Sequence, residues 1–217
     1  MPKSLVKIKN LSILSRQIHM IPIDCVKEIL IIVGFEQQQI RDEMLRLKVP
    51  FPVRFIENDN YQNSNCGFSF SLTKDQIEGP IIYINSDLII EPNSLQTLLN
   101  DTSENSLLVN INESQHQDFL KGIINKDGIM DFWPETGYGD TGNCIIVGPF
   151  KMSHKTHHFI CNQFDNLNYQ DQSSISCYGL FSKALMHSSF VGIHINAEHF
   201  WEIDTYADLT HAEETIA

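Results

Sequence analysis

The sequence predicts an α/β fold in which a mixed, mostly parallel sheet carries helices on both faces. Two observations support this prediction. In the first half of the chain, short runs of aliphatic and β-branched residues alternate with amphipathic segments, as in βαβ units with right-handed crossovers. Farther on, short strand-like runs separated by turn-forming residues indicate an antiparallel edge. The 217 residues suffice for one sizeable core, so we expect a single domain over 1–217.

In the first half, periodicity and turn residues define the elements. Leu11, Leu14, Ile18 and Ile21 recur at helical spacing before Pro22, which predicts a helix over 11–21. Glu28–Gly34 is a β-branched run ended by glycine, the pattern of a strand buried on both faces. The remaining predictions are a helix carrying Ile40, Met44 and Leu47, a strand over 53–56, a helix over 65–74 and a strand over 81–84.

In the second half, the first predicted element is a short helix beginning near Pro92, because proline suits the first helical turn. Strands are predicted next over 107–111, 121–125 and 129–133. The stretch 150–186 has a weak helical pattern, with an Asn- and Gln-rich interruption around 162–172. Strands follow over 191–195 and 199–203, and Thr205–Asp208 matches the amino-terminal cap of a last helix.

Composition limits the partners and the compartment. A formal net charge of −12 would repel a phosphate backbone, so nucleic acid is not an expected partner. No apolar run approaches the roughly 20 residues that cross a bilayer, and the amino terminus lacks the apolar segment of a secretory signal. Five cysteines without a Cys-x-x-Cys pair indicate reduced thiols in a cytoplasmic protein.

Two acidic residues follow strand-like runs and are candidates for a metal site. Asp87 comes after Ile81–Ile84, and Asp204 lies where the strand over 199–203 gives way to a helix. Ligands bind beyond the carboxyl ends of strands in such sheets, and Mg²⁺ prefers a few carboxylates together with water and phosphate oxygens. Asp87 could equally be a turn residue that accepts hydrogen bonds from nearby amides, and Asp204 could equally be a helix cap.

Two further sets of charged or metal-binding residues are weaker candidates. Lys3 could hold a phosphate as a point charge, although a lysine near a terminus is usually only solvated. His154, His157 and His158 lie close together in the sequence, but no acidic or cysteine motif accompanies them at ligand spacing. We therefore expect surface or structural roles for the histidines.

Taken together, these segments resemble the sugar-phosphate nucleotidyltransferases and phosphocholine cytidylyltransferases. Pro2–Ile8 is similar to the segment after their phosphate loop, and Glu28–Gly34 is similar to their second strand. Asp87 falls on the metal aspartate of the family, and Trp201–Thr205 with Asp208-Leu209 falls on its carboxy-terminal metal motif. The pattern typical of the choline branch is matched by Asn58, Tyr61, Asn65, Phe68, Ser69 and Leu72.

The resemblance implies a GT-A-like, Rossmann-like domain and a Mg²⁺-dependent transferase. A nucleoside triphosphate would donate its nucleoside monophosphate to a small phosphorylated acceptor, a sugar 1-phosphate or a phosphocholine-like compound, and pyrophosphate would be released. In this reaction Asp87 and Asp204 would hold the metal, and Lys3 would offset developing charge. Residues assigned by the resemblance to nucleotide or acceptor binding are Asn58, Asn65, Ser69 and Trp201. Whether the protein forms a homo-oligomer is left open.

The resemblance also leaves alternatives. Family members begin with a strand and a Gly-x-Gly-x-Arg loop, whereas Met1 stands where that loop has ended, so we expect an amino-terminally incomplete domain. One alternative is therefore a binding or assembly subunit of this fold with impaired catalysis. Another is a glycosyltransferase, which Asn85-Ser86-Asp87 disfavours because an Asp-x-Asp motif is usual there. An aromatic cage for a choline-like cation could comprise Trp133, Tyr138, Phe200 and Trp201.

Overall fold

The computed structural model describes residues 1–111, 120–132 and 142–216. Its strands are β1 (Lys7–Ile8), β2 (Leu11–Ser12), β3 (Ile29–Val33), β4 (Val53–Glu57), β5 (Ile81–Tyr83), β6 (Leu88–Ile90), β7 (Ser106–Asn110), β8 (Lys121–Ile124), β9 (Met130–Phe132), β10 (Cys144–Met152), β11 (Val191–His194) and β12 (Phe200–Glu202). Its α-helices are α1 (Ile13–Met20), α2 (Gln37–Leu47), α3 (Cys66–Ser71), α4 (Pro92–Asn100), α5 (His154–Asp165), α6 (Tyr169–Ser174), α7 (Cys177–Ser182) and α8 (Tyr206–Thr215). None of the described helices has both the length and the apolar character needed to span a bilayer.

The largest sheet is organised around β10. On one edge β10 pairs with β7, which in turn pairs with β11. Its other edge is shared, because β8 pairs near Cys144 and β5 pairs near Phe150. Strand β9 extends the sheet beyond β8. The long strand β10 therefore joins β5, β7 and β8 into one sheet.

Alternating side chains of β7 and β10 build a core on each face of this sheet, since successive strand residues point in opposite directions. Leu107, Val109 and Ile146 pack on one face with α3, α5 and α7. Leu108 and Ile145 pack on the other face with α1 and α4. All five side chains are buried. This arrangement confirms the prediction of helices on both faces.

Three smaller sheets complete the fold. Strands β3 and β4 run parallel and pack against α1 and α2 through Val33, Ile40 and Met44. Strands β6 and β12 are antiparallel, as are β1 and β2. Residues of β6, β12 and α8 share a further small core around Ile89 and Ile203. The two candidate aspartates lie at one end of the β6–β12 pair.

The prediction of a mostly parallel sheet is wrong for the described strands. Only the β3–β4 and β7–β11 pairs are parallel, whereas β10 runs antiparallel to all three of its neighbours. The helical prediction for 150–186 is also wrong over its first three residues, which belong to β10. Gly148-Pro149 conceals this strand, because proline and glycine usually mark the end of a strand. The structure is thus a mixed α/β fold with a higher antiparallel content than predicted.

Most other predicted elements are confirmed with shifts of a few residues at their ends. The helix over 11–21 begins only at Ile13, because Leu11-Ser12 pairs with β1 and the Ser12 side chain caps the helix. The helix over 65–74 ends at Ser71, and the strand over 28–34 becomes Ile29–Val33. Pro92 begins α4 as expected. The single-domain organisation stays a prediction.

Candidate active site

The register of β6 and β12 brings the two candidate aspartates to the same end of this strand pair. Leu88 lies opposite Glu202 in the antiparallel ladder. Asp87 directly precedes β6 and Asp204 follows shortly after β12, so both carboxylates lie where the ladder ends. The Ile203 amide donates a hydrogen bond to the Asp87 carbonyl oxygen over 3.0 Å, which extends the pairing by one residue. The backbone pairing of β6 with β12 therefore brings the two aspartates together.

The ammonium group of Lys3 lies between these two carboxylates. Lys3 Nζ donates to Asp87 Oδ2 over 3.0 Å and also contacts Asp204 Oδ1. Burial alone would lower the pKa of Lys3, but the hydrogen bonds to Asp204 and Asp87 outweigh it and raise the pKa above its ordinary value. Lys3, Asp87 and Asp204, which are distant in the sequence, thus form one charged cluster.

The structure assigns capping to residues other than these aspartates. Thr205 caps α8 by accepting the Asp208 amide, and the Asp208 carboxylate in return accepts the Thr205 and Asp204 amides. Partial burial opposes ionisation, yet these hydrogen bonds lower the pKa of Asp208. The Asp204 carboxylate is left to contact Lys3. At Asp87, Oδ2 binds Lys3, while Oδ1 is buried and has no hydrogen-bond partner among the described residues.

A third carboxylate, Glu202, belongs to the same cluster, although the sequence analysis did not single it out. Burial, followed by the negative charges of Asp87 and Asp204, raises the pKa of Glu202 to about 7, against the opposing effect of Lys3. Like charges in a partly buried site disfavour ionisation of one another. The acidic content of the site therefore exceeds the single positive charge of Lys3, which favours an additional cation.

Two side chains that the sequence analysis also missed hold the turn that carries Asp87. Gln17, a buried residue of α1, donates from Nε2 to the carbonyl oxygens of Asn85 and Leu88, each over 2.7 Å. The Asn85 side chain donates to the Tyr178 hydroxyl over 2.8 Å. Gln17 reads only as a polar position in an amphipathic helix, and Tyr178 lies in a weakly patterned stretch. Neither carried a sequence signal that pointed to the site.

Asn58, Asn65 and Ser69 lie in a second group, between β4 and the end of α3. The buried Asn58 amide donates to Ser64 Oγ and to Ser69 Oγ, over 3.2 and 3.0 Å. Asn65 caps α3 and also donates to the Ser174 carbonyl oxygen over 3.1 Å. Through these contacts, Asn58 and Asn65 order the loop between β4 and α3. Their assignment to nucleotide or acceptor binding remains a prediction.

The aromatic cage is not formed by its described members. Phe200 packs with the α1 and α4 side of the main sheet, whereas Trp201 packs into the small core near α8. Trp201 also donates from Nε1 to Thr215 Oγ1 over 2.8 Å. Consecutive residues of a strand point to opposite faces, so these two rings do not converge on one ligand. Trp133 and Tyr138 lie outside the described residues.

The histidines of α5 have the structural and surface roles expected of them. Burial lowers the pKa of His157 to about 4, and the charges of His154 and His158 add to that effect. His157 Nε2 lies 2.8 Å from Thr73 Oγ1. His154 and His158 are exposed. In the described part of the chain, no group of three or more His, Cys, Asp or Glu side chains is arranged to hold a metal ion.

The carboxylates of Asp87 and Asp204 nevertheless fit a divalent cation that draws its other ligands from substrate and water. The unpartnered, buried Asp87 Oδ1 is an acceptor that a cation would satisfy. Mg²⁺ commonly uses one or two protein carboxylates and completes its shell with water and phosphate oxygens. A site with two aspartates therefore suits Mg²⁺ bound together with a phosphorylated ligand.

Solved structures with a similar fold include several nucleotidyltransferases. The inositol-1-phosphate CTP transferase from T. maritima is 16% identical with a TM-score of 0.77, covering 100% of this chain and 89% of its own. The CTP:phosphocholine cytidylyltransferase from Streptococcus pneumoniae is 16% identical with a TM-score of 0.75, covering 100% and 90%. A UDP-glucose pyrophosphorylase complexed with UDP-glucose is 9% identical with a TM-score of 0.76, covering 99% and 89%.

The enzymes in these structures are of the kinds that the sequence resembles. No protein-family model matches the chain, and no curated protein matches it by sequence. Identities this low show a shared fold, so the class defined here is that of a nucleotidyltransferase-like α/β fold with an acidic site at the end of β6 and β12.

Proposed function

We propose that this protein transfers a nucleoside monophosphate from a nucleoside triphosphate to a small phosphomonoester and releases pyrophosphate. The observation that carries the proposal is the convergence of Lys3, Asp87 and Asp204 at one end of the β6–β12 pair. The fold shared with nucleotidyltransferases supports the reaction class. A sugar 1-phosphate and a phosphocholine-like compound remain the two candidate acceptors.

The proposed reaction needs alignment and charge neutralisation, with no covalent enzyme intermediate. An oxygen of the acceptor phosphate bonds to the α-phosphorus, and the bond from that phosphorus to the pyrophosphate oxygen breaks. The attacking oxygen supplies the electron pair of the new bond, and the pyrophosphate oxygen leaves with the electron pair of the broken bond. Because the acceptor phosphate is already anionic, no general base is required. Mg²⁺ held by Asp87 and Asp204 would supply positive charge to the phosphate oxygens when bound.

The residues of the chain divide this task among them. Lys3, which contacts both aspartates, would offset charge on a phosphate that enters the cluster. Gln17 fixes the turn before β6 and thereby the backbone position of Asp87. The capping box of Thr205 and Asp208 fixes the backbone of Asp204. Preorganised charges of this kind lose little energy to rearrangement during the reaction.

A second candidate is a binding or assembly subunit of the same fold with impaired catalysis. One observation favours it: the Lys3 ammonium already lies between the two carboxylates that would hold the metal. If this ammonium is not displaced, the cluster can attract phosphate without activating it.

One assay separates the two candidates. The purified protein is incubated with MgCl₂, one nucleoside triphosphate at a time, and one candidate acceptor: phosphocholine, inositol 1-phosphate or glucose 1-phosphate. Pyrophosphate release is measured, and mass spectrometry identifies the product. Turnover that depends on both substrates supports the transferase. Nucleotide binding by calorimetry without turnover supports the binding subunit. If neither turnover nor nucleotide binding occurs, both proposals fail.

A cytoplasmic location also remains a proposal. It is supported by the five cysteines, all of which are free thiols in the structure. Fractionation of the producing cells would test it.

A further inference from the structure

Two cysteines from distant parts of the chain meet beside the candidate site. The Cys177 amide donates a hydrogen bond to Cys66 Sγ over 3.0 Å. The surrounding backbone fixes this approach, because the Asn65 amide donates to the Ser173 carbonyl oxygen and the Gly67 amide donates to the Ile175 carbonyl oxygen. The two thiols are therefore held close by the fold. The proposed transferase reaction uses neither of them.

The environments of the two thiols differ. Cys66 is exposed, whereas Cys177 is buried and its Sγ accepts the Tyr83 hydroxyl over 3.1 Å. The hydrogen bond from the Cys177 thiol outweighs partial burial and, together with the Cys177 amide, lowers the pKa of Cys66 to about 7. Burial raises the pKa of Cys177 well above its ordinary value. Cys66 is thus the thiol that ionises more readily, and Cys177 is its more weakly acidic neighbour.

We propose that Cys66 and Cys177 form an oxidation site that a hydroperoxide converts to an intramolecular disulfide. The Cys66 thiolate attacks the terminal peroxide oxygen, the O–O bond breaks, and the rest of the peroxide leaves as an alkoxide or hydroxide. Cys66 is then a sulfenic acid. The Cys177 sulfur attacks the Cys66 sulfur, the S–O bond breaks, and the hydroxide leaves with the Cys177 proton as water. Sulfur is oxidised and peroxide is reduced, two electrons in all.

The position of the pair links oxidation to the candidate site. Cys177 is followed by Tyr178, whose hydroxyl accepts the Asn85 side chain, and Asn85 lies in the turn that carries Asp87. A bond between Cys66 and Cys177 would therefore constrain the segment that supports this turn. The chemistry of the pair does not require the proposed transferase activity, so it can be tested even if that activity is absent.

The test is peptide mapping of the wild-type protein after treatment with a small molar excess of hydrogen peroxide. We expect one disulfide-linked pair of peptides containing Cys66 and Cys177, loss of two of the five thiols, and complete reversal by dithiothreitol. Cys25 is the internal control, because it is also exposed but lies outside this pair. It should retain its free thiol under conditions that oxidise Cys66.

Two variants check the order of events. Cys177→Ser should leave a sulfenic acid at Cys66 that dimedone traps, and Cys66→Ser should prevent any disulfide. Cys25→Ser should behave like the wild type. Circular dichroism verifies folding, and the wild-type mapping stands even if Cys177→Ser fails to fold. Equal oxidation of Cys25 and Cys66, or direct over-oxidation of Cys66 with no link to Cys177, would overturn the proposal.

Discussion

The carboxylates of Asp87 and Asp204 contact the same ammonium group, that of Lys3, from turns at the same end of β6 and β12. The cluster is unequal in exposure, since the Asp87 side chain is 23% exposed and the Asp204 side chain is 48% exposed. Asp87 is thus the deeper of the two carboxylates, and Asp204 is the more exposed one. In the proposed reaction, we therefore expect the phosphorylated ligand to approach from the Asp204 side.

Replacing Asp87 tests its electrostatic role in the proposed reaction. Asp87→Ala removes the more buried carboxylate, and we expect turnover to fall by at least about 100-fold, the scale seen when one preorganised electrostatic group is lost. Pyrophosphate release is the measurement. Asp127→Ala, in an exposed turn, is the control and should retain full activity. Near-normal release by Asp87→Ala would contradict the assignment.

Replacing Lys3 tests whether its ammonium competes with a divalent cation. Lys3→Met leaves both aspartates without their positive partner, and we expect a loss of about 1 kcal/mol in the free energy of unfolding in the presence of a chelator, since partly exposed ion pairs contribute little. Adding MgCl₂ should raise Tm more in Lys3→Met than in the wild type. Lys126→Met, at an exposed position, should show neither effect. Equal Tm shifts in all three proteins would argue against a shared cation position.

The capping box of α8 should contribute to stability and to the placement of Asp204. Thr205→Ala removes the oxygen that accepts the Asp208 amide, and we expect a loss of about 1 kcal/mol in the free energy of unfolding. Urea denaturation measures it. Thr210→Ala, within the same helix, removes a hydroxyl that bonds only the preceding turn and should have a smaller effect. If the two variants lose equal stability, the cap is not responsible.

Gly67 should be intolerant of a side chain because α3 approaches the 173–177 segment so closely. A Cβ added there would lie 2.6 Å from the Ile175 carbonyl oxygen and 2.9 Å from its Cγ2. Because a backbone atom cannot swing aside, Gly67→Ala should cost about 1–3 kcal/mol in unfolding free energy. At Gly79, an added Cβ meets nothing within 4 Å. Gly79→Ala should therefore leave the denaturation midpoint nearly unchanged.

The buried His157 should make stability depend on pH in the acidic range. Its folded pKa of about 4 lies below the ordinary value of 6.5, so the unfolded chain binds the proton more readily between these values. This contribution is complete above about pH 6.5 and is lost as the pH falls towards 4, amounting to about 3 kcal/mol. Glu202, whose folded pKa is raised, acts with the opposite sign, because its contribution is complete below its unfolded pKa and is lost as the pH rises through about 7.

A comparison of variants isolates the histidine. Unfolding free energies of the wild type and His157→Gln are measured from pH 4 to 7, and the difference between them removes contributions common to both. His211→Gln, at an exposed position of α8, is the control and should keep the wild-type slope. An unchanged slope in His157→Gln would show that another group is responsible.

The sequence predicted those parts of the molecule whose signal is local. Periodicity identified α1 and α2, proline marked the start of α4, and the Thr205–Asp208 pattern predicted the cap that the structure contains. Strand β10 escaped prediction because its Gly-Pro step resembles a break. Its antiparallel pairing arises from contacts between distant segments, which no local pattern records.

The same distinction applies to the site. Asp87 and Asp204 could be proposed because each follows a strand-like run, and Lys3 because Pro2–Ile8 resembles a segment of a known family. The structure brings all three together. Glu202 was overlooked because it lies inside a strand, where a charged residue usually faces solvent. Gln17 and Tyr178 were overlooked because their partners are backbone or side-chain atoms from other parts of the chain.

The two hydrogen bonds from Gln17 to the Asn85 and Leu88 carbonyl oxygens also have a mechanical effect. Because the Gln17 side-chain nitrogen bonds carbonyl oxygens on both sides of Asp87, we expect α1 and this turn to move together. A change in side-chain packing against α1 would thus shift Asp87, although the acidic residues themselves are unchanged. Substitutions along α1, although remote from the carboxylates, should therefore alter the kinetics of the proposed reaction as substitutions of the carboxylates would.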